Sequence, residues 1–130
     1  MAKIKKVSLP SEDQVNKFEM LEDMLDSVTK DVIEFSKKKP NENLNEYKVK
    51  LINKILFQIK DFLSGEQTVE FLEILDAETL PTYSDAVLTM GQFLVAMKQF
   101  KNKHYGFNEE EDDLAEDGEH NYRWFTKENP

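Results

Sequence analysis

Apolar residues recur at alternating steps of three and four along three long stretches of this chain, which is the spacing of amphipathic helices. The first stretch follows Pro10 and opens with Ser11 and Gln14, the pattern of a capping box. Its apolar side comprises Phe18, Leu21, Leu25, Val28, Val32 and Phe35. We predict one helix from Ser11 to the lysines before Pro40, where positive charge suits a helix end.

A second helix is predicted after the turn at residues 41–45. Asn43, with Glu46 three residues later, indicates its start, and Gly65 indicates its end. One apolar stripe comprises Leu44, Tyr47, Leu51, Ile55, Ile59 and Phe62, and it is widened by Ile52, Leu56 and Leu63. This face is wider than one partner helix needs, so we expect the second helix to contact two neighbours near the centre of the fold.

A short helix is predicted at residues 68–75, although the apolar pattern there also fits a strand. Leu80-Pro81 then breaks the chain. A last helix is predicted from Thr82 or Ser84 to His104, with Gly106 as a left-handed stop.

The last helix is apolar on nearly every side between Ala86 and Phe100, and Gly91 within it permits close approach of another backbone. Two interpretations fit this pattern. The favoured one is a buried central helix, as a domain of three or four helices requires. The other is a homo-oligomer interface along the Ala86–Phe100 helix.

The sequence therefore predicts an all-α fold: a small bundle of three long helices plus one short helix, with an acidic C-terminal tail. The 130 residues suit one folded core. We expect a helical bundle domain over residues 1–106 and an acidic tail with an aromatic cluster over residues 107–130.

The tail holds nine acids against only Arg123 and Lys127, so it carries most of the formal net charge of −9. Its candidate partner-binding residues are the acids Glu109, Glu110, Glu111, Asp112 and Asp113 and the cluster Tyr122, Arg123, Trp124 and Phe125. The acids would attract a basic partner over a distance, and Trp, Tyr and Arg are enriched at binding hot spots. The cluster could equally pack on its own helical body.

Composition argues against several functional classes. The chain has no cysteine, which removes disulfide scaffolds and thiolate chemistry, and no export signal or bilayer-length apolar run is visible, so we expect a cytoplasmic protein without a membrane partner. The basic residues are almost all lysine, which is poor at bidentate phosphate and base contacts, so direct nucleic-acid binding is not expected.

Catalytic and metal-binding patterns are weak, and no cofactor or metal is predicted. An ExxE at Glu19 and Glu22 and an overlapping ExxE and ExxD at Glu70, Glu73 and Asp76 are similar to the magnesium ligands of all-α nucleotide pyrophosphatases. The second set does not follow on the adjoining helix, so solvated helix faces are the better interpretation. An EF-hand loop from Asp113 fails because Trp124 occupies its twelfth position.

The leading functional hypothesis is a non-enzymatic interaction protein: an adaptor, assembly chaperone or regulator whose acidic tail binds another protein with a basic surface. Residues 91–97 (GQFLVAM) resemble a stretch in tail assembly chaperones of long-tailed phages, which favours the chaperone form. One alternative is an acidic inhibitor that occupies the nucleic-acid site of a partner. The other is an all-α metal-dependent hydrolase.

Overall fold

The structure, a computed structural model, describes residues 8–108 and 121–130. It is mostly helical, as predicted, with α1 (Glu12–Lys38), α2 (Glu46–Phe62) and α3 (Tyr83–His104) and a 3-10 helix at Gln67–Phe71. It also contains a two-stranded antiparallel sheet, which the all-α prediction lacked. The strands are β1 (Tyr105–Phe107) and β2 (Tyr122–Trp124), with Tyr105 opposite Trp124 and Phe107 opposite Tyr122.

The predicted starts of α1 and α3 are confirmed by their caps. The Ser11 Oγ accepts a hydrogen bond from the Gln14 backbone N–H at 3.1 Å, and the Gln14 side chain accepts one from the Ser11 N–H at 2.8 Å. At α3, the Thr82 Oγ1 accepts from the Asp85 N–H at 3.2 Å. These side chains satisfy backbone donors that the first turn of a helix leaves free.

The predicted start of α2 is wrong by two residues. Asn45 is the cap, and its Oδ1 accepts from the Lys48 N–H at 2.8 Å. Asn43 instead donates through its side chain to the Leu80 carbonyl, which ties the loop before α2 to the loop before α3. Both asparagines fit a helix start by sequence, and the long-range contact of Asn43 decides between them.

The short helix predicted at residues 68–75 is present only over its first half, and as a 3-10 helix. The 3-10 helix ends at Phe71, and Leu72 has extended backbone angles. The side chain of Asn53 on α2 donates to the Leu75 carbonyl at 2.8 Å and accepts from the Leu75 N–H at 2.9 Å. Because both backbone groups of Leu75 bond to α2, they are not available to a helical turn.

The end of α3 also differs from the prediction. The helix passes through Tyr105, whose φ and ψ are −122° and 124°, directly into β1. Gly106 lies within this strand, so it is not a left-handed helix stop. Pairing with β2 supplies the backbone hydrogen bonds that a helix-ending turn would otherwise have provided.

The core lies between the three helices, with α1 packed along α3 and both in contact with α2, which confirms two neighbours for α2. Its fully buried members include Phe18, Leu21, Leu25, Leu56, Ile59, Met90 and Phe93. The buried central helix predicted for α3 is wrong, because Leu88 is 67% exposed and Val95 is 54% exposed. Apart from the adjacent backbone of α3 itself, no heavy atom of the described chain lies within 4 Å of the place of a Cβ at Gly91, so no other backbone approaches it closely.

Residues 121–130 pack against the ends of α1 and α3. The Phe125 N–H donates to the His104 carbonyl at 2.7 Å, and the Lys127 N–H donates to the Pro10 carbonyl at 2.9 Å. A carboxylate oxygen of Glu128 accepts from the Glu12 N–H at 2.9 Å, at the positive end of α1. Within the part of the chain described, no helix has the length and hydrophobicity of a membrane span.

Candidate functional site

Trp124, a predicted partner-binding residue, packs on the helical body. Its ring centroid lies 5.2 Å from that of Phe18 and 5.5 Å from that of Tyr105, both in edge-to-face geometry. It also lies beside Phe100, with ring centroids 6.4 Å apart. Trp124 is therefore a partly buried extension of the core, held over the junction of α1 and α3 by β2.

Arg123 and Phe125 contact each other. The Arg123 guanidinium carbon lies 4.0 Å from the Phe125 ring centroid, a cation–π arrangement. Its nitrogens also donate to the carbonyl oxygens of Asn129 at 2.7 Å and Pro130 at 3.0 Å. Both side chains are only partly exposed, and Arg123 holds the chain end against β2.

Tyr122 is the most exposed of the four aromatic-cluster residues, with 54% of its surface accessible. Its ring is nearly parallel to that of Tyr105, with centroids 6.1 Å apart, and meets the Phe107 ring edge-on at 6.0 Å. The three rings come from one face of the paired strands, because residues opposite each other in a ladder point to the same side. We call Tyr105, Phe107 and Tyr122 the aromatic ribbon.

The five predicted acids Glu109–Asp113 lie outside the described residues. The described residues on either side of them are hydrogen-bonded to each other: the Asn108 N–H donates to the Asn121 carbonyl at 2.7 Å. Residues 109–120 contain eight acids and no lysine or arginine. The residues that flank this strongly negative stretch of sequence therefore meet next to the aromatic ribbon.

A groove between α1 and α2, which the sequence analysis did not identify, is a second candidate site. Two cavities follow one another along it, of about 490 Å³ and about 240 Å³. Their lining includes Met20, Met24, Phe35, Tyr47 and Leu51, of which Tyr47 is 73% exposed and the others between 45% and 51%. The sequence feature that could have revealed this groove is the unusually wide apolar face of α2. Tyr47 and Leu51 belong to that face and remain exposed.

Lys48 lies in the smaller cavity between two rings. Its Nζ is 4.8 Å from the Phe35 ring centroid and 5.5 Å from that of Tyr83, and it donates to the Tyr83 hydroxyl at 2.8 Å. No carboxylate oxygen of residues 8–108 and 121–130 lies within 4.0 Å of this nitrogen. Lys48 thus presents a positive charge, fixed in place, at an apolar surface.

His104 is a buried polar residue at the other end of the molecule, 2% exposed, and its Nδ1 has no hydrogen-bond partner among the described atoms. It lines a cavity of about 310 Å³ together with Phe100 and Glu66. Burial lowers the pKa of His104 below its ordinary value of 6.5, and Lys103 adds to this shift while Glu66 opposes it. The imidazole is therefore neutral at pH 7.

Carboxylates also cluster on α1. Burial raises the pKa of Glu22, and Asp26, Asp23 and Glu19 raise it further, while Lys101 opposes the change. No three acidic or histidine side chains of the described chain are placed to hold a metal ion. The carboxylates of the alternative hydrolase hypothesis, Glu19, Glu22, Glu70, Glu73 and Asp76, accordingly do not form such a metal-binding group.

No protein-family model matches this chain, and neither the curated proteins nor the solved structures contain a significant match.

Proposed function

We propose that this chain is a non-enzymatic protein-interaction protein, an adaptor, assembly chaperone or regulator, that binds a partner with a basic surface. Its contact surface combines the acidic residues Glu109–Asp113 with the exposed ring of Tyr122. The observation that carries the proposal is the hydrogen bond between Asn108 and Asn121, the described residues that flank the acidic segment, next to the aromatic ribbon.

The charge distribution supports a role in partner attraction. Eight acids within twelve residues produce a local field that draws a basic surface toward this end of the molecule. Tyr122 lies beside the segment and offers both apolar area and a hydroxyl, a combination favoured at interfaces. Trp124, Arg123 and Phe125 then serve to hold the ribbon in position.

The proposal is tested by neutralising the acids without changing their shape. In one variant Glu109, Glu110 and Glu111 become Gln and Asp112 and Asp113 become Asn. The matched control changes five acids on α1 to their amides: Asp13, Glu19, Asp23, Asp26 and Glu34. Wild type and both variants are used to capture proteins from a lysate of the source cells, with each eluate quantified by mass spectrometry.

A partner that the segment variant loses and the α1 control retains supports the proposal. For that partner, the association rate should fall as salt increases, because exposed charges are screened beyond about 8 Å at physiological ionic strength. Equal capture by all three chains, or an association rate independent of salt, contradicts the role of the segment. Tyr122→Ala should weaken the same complex chiefly through faster dissociation.

One observation favours the inhibitor as a second candidate function. Glu19, Glu22, Asp23 and Asp26 lie on a single rigid helix, and their mutual repulsion contributes to the raised pKa of Glu22. A rigid row of carboxylates can take the place of phosphates in a nucleic-acid site. For this function the captured partner is a nucleic-acid-binding protein, the α1 amide variant loses it, and a DNA or RNA duplex competes for it.

A further inference from the structure

The α1–α2 groove has the dimensions of a helix-binding site. Its cavities extend from Met20 to Phe35 on α1, which is roughly 22 Å at about 1.5 Å per residue. Its floor is buried, but on both sides large apolar side chains remain about half exposed or more: Met20, Met24 and Phe35 on α1, and Tyr47, Leu51 and Phe57 on α2. Apolar surface that is contiguous and open in this way marks interaction sites on proteins.

We propose that this groove binds an amphipathic helix of a partner protein, with an acidic residue of that helix paired to Lys48. The helix lays its apolar side chains on Met20, Met24, Phe35, Tyr47 and Leu51. The Lys48 end of the groove is distant from Trp124: about 25 Å of α1 lies between Phe18, which contacts Trp124, and Phe35, which contacts Tyr83.

The lining favours a helix over an extended peptide. Six of the ten residues that line the smaller cavity have side chains that neither donate nor accept hydrogen bonds: Val28, Val32, Phe35, Leu44, Leu51 and Ile52. The other four are Asp31, Tyr47, Lys48 and Tyr83. An extended segment would leave its backbone N–H and C=O groups facing the apolar residues unpaired. A helix satisfies its own backbone groups and presents apolar residues at spacings of three and four.

Lys48 determines the charge of the occupant. Its ammonium is already held by the Tyr83 hydroxyl and the faces of two rings, so a partner carboxylate binds it with little further loss of side-chain freedom. Asp31 lines the opposite wall of the same cavity. The carboxylate of the helix therefore lies on the α2 side of the groove, and a basic residue suits the α1 side.

Two synthetic peptides of about 15 residues test the proposal, because a helix of that length spans the groove. Both carry leucine at helical spacing, one with glutamate and the other with lysine beside the apolar face. Binding is followed in the full chain by NMR of the methionine methyl groups. Met20 and Met24 line the groove, whereas Met90 and Met97 are buried in the core and report any wider rearrangement.

The glutamate peptide should shift the Met20 and Met24 signals, leave Met90 and Met97 unchanged, and bind about tenfold more tightly than the lysine peptide. Lys48→Glu should reverse this preference, and Lys48→Met should abolish it. Leu51→Gln should weaken binding by about tenfold, because a leucine loses its apolar contact. Leu88→Gln, on the exposed side of α3, is the control and should change nothing.

Three results overturn the proposal. One is the absence of any Met20 or Met24 shift with either peptide. Another is equal affinity for the two peptides in wild type, which removes the role of Lys48. The third is a change of the Met20 and Met24 signals on dilution of the free protein, which assigns the groove to a second copy of this chain. Each is distinguishable from failure of the acidic-segment proposal, since that segment is intact throughout.

Discussion

Asn53 is a polar residue on the buried side of α2, and its amide satisfies both backbone groups of Leu75. Asn53→Ala leaves that N–H and carbonyl unpaired inside the protein. We expect the free energy of unfolding to fall by about 2–4 kcal/mol, since each lost hydrogen bond leaves a buried group unsatisfied. Urea denaturation measures the loss. Asn102→Ala, at an exposed position on α3, should change stability by under about 0.5 kcal/mol.

His104 should make stability depend on pH near neutrality. Its pKa in the folded protein lies below the ordinary value of 6.5, so below that pH the unfolded chain binds the proton more readily. The contribution of His104 to the free energy of unfolding is therefore fully present above about pH 6.5. It decreases as the pH falls toward the folded pKa, by at most about 1.4 kcal/mol per pH unit.

Comparing wild type with His104→Leu between about pH 5 and pH 8 isolates this effect. The slope of unfolding free energy against pH should be smaller in the variant, whatever its absolute stability. Glu22 changes stability with pH in the opposite direction, because its raised pKa favours the protonated folded state. Glu22 is present in both wild type and His104→Leu, so its effect cancels in the comparison. His120→Gln should keep the wild-type slope; equal slopes in wild type and His104→Leu would contradict the assignment to His104.

At the scale of single elements, β2 contributes to stability through Trp124. Trp124→Ala removes a ring that contacts Phe18, Tyr105 and Phe100, and should reduce the unfolding free energy by about 2–4 kcal/mol. Tyr122→Ala is the control from the same strand and should cost under about 1 kcal/mol, because its ring is mainly exposed. If the two variants are equally stable, Trp124 does not belong to the core.

Elements specified by local sequence were predictable. The side chains of Ser11 and Thr82 cap the helices that they precede. Pro40 follows α1 and Pro81 precedes α3, as expected. Elements that depend on distant contacts were not. The strands Tyr105–Phe107 and Tyr122–Trp124 are three residues each, too short to show a period, and their pairing is accompanied by distant contacts such as that of Trp124 with Phe18.

In the candidate sites, too, local features were predictable from sequence and those that depend on distant contacts were not. Sequence identified the Tyr122–Phe125 cluster as unusual, but how far each ring is covered depends on its neighbours in the fold: Trp124 lies on Phe18, whereas Tyr122 is 54% exposed. The α1–α2 groove was missed because Phe35, Tyr47 and Leu51 fit the apolar stripes of their helices. Periodicity places a residue on one side of a helix but does not show how far the neighbouring helix covers that side.

At the scale of the whole molecule, the chain beyond α3 is joined to the helices at several points. Phe125 bonds to His104, Lys127 bonds to Pro10, and Asn108 bonds to Asn121. The described residues Asn108 and Asn121, which flank the acidic segment at residues 109–120, thus meet at one place. Removing the segment alone and removing everything after Asn108 should therefore have opposite effects on folding.

Replacing residues 109–120 by Asn-Gly, a two-residue hairpin turn, should preserve β1, β2 and the packing of Trp124. Closing a two-residue connection in place of twelve residues reduces the entropic cost by about 1.5 kcal/mol, and removing eight like charges reduces repulsion. We expect this variant to match or exceed wild-type stability in urea denaturation, with fluorescence of the single Trp as probe.

A chain ending at Asn108 loses the same acids but also uncovers Phe18 and Phe100, so its free energy of unfolding should fall by several kcal/mol. Equal destabilisation of both variants would mean that residues 109–120 themselves help to hold the fold together, and that their acids are not free to serve a partner.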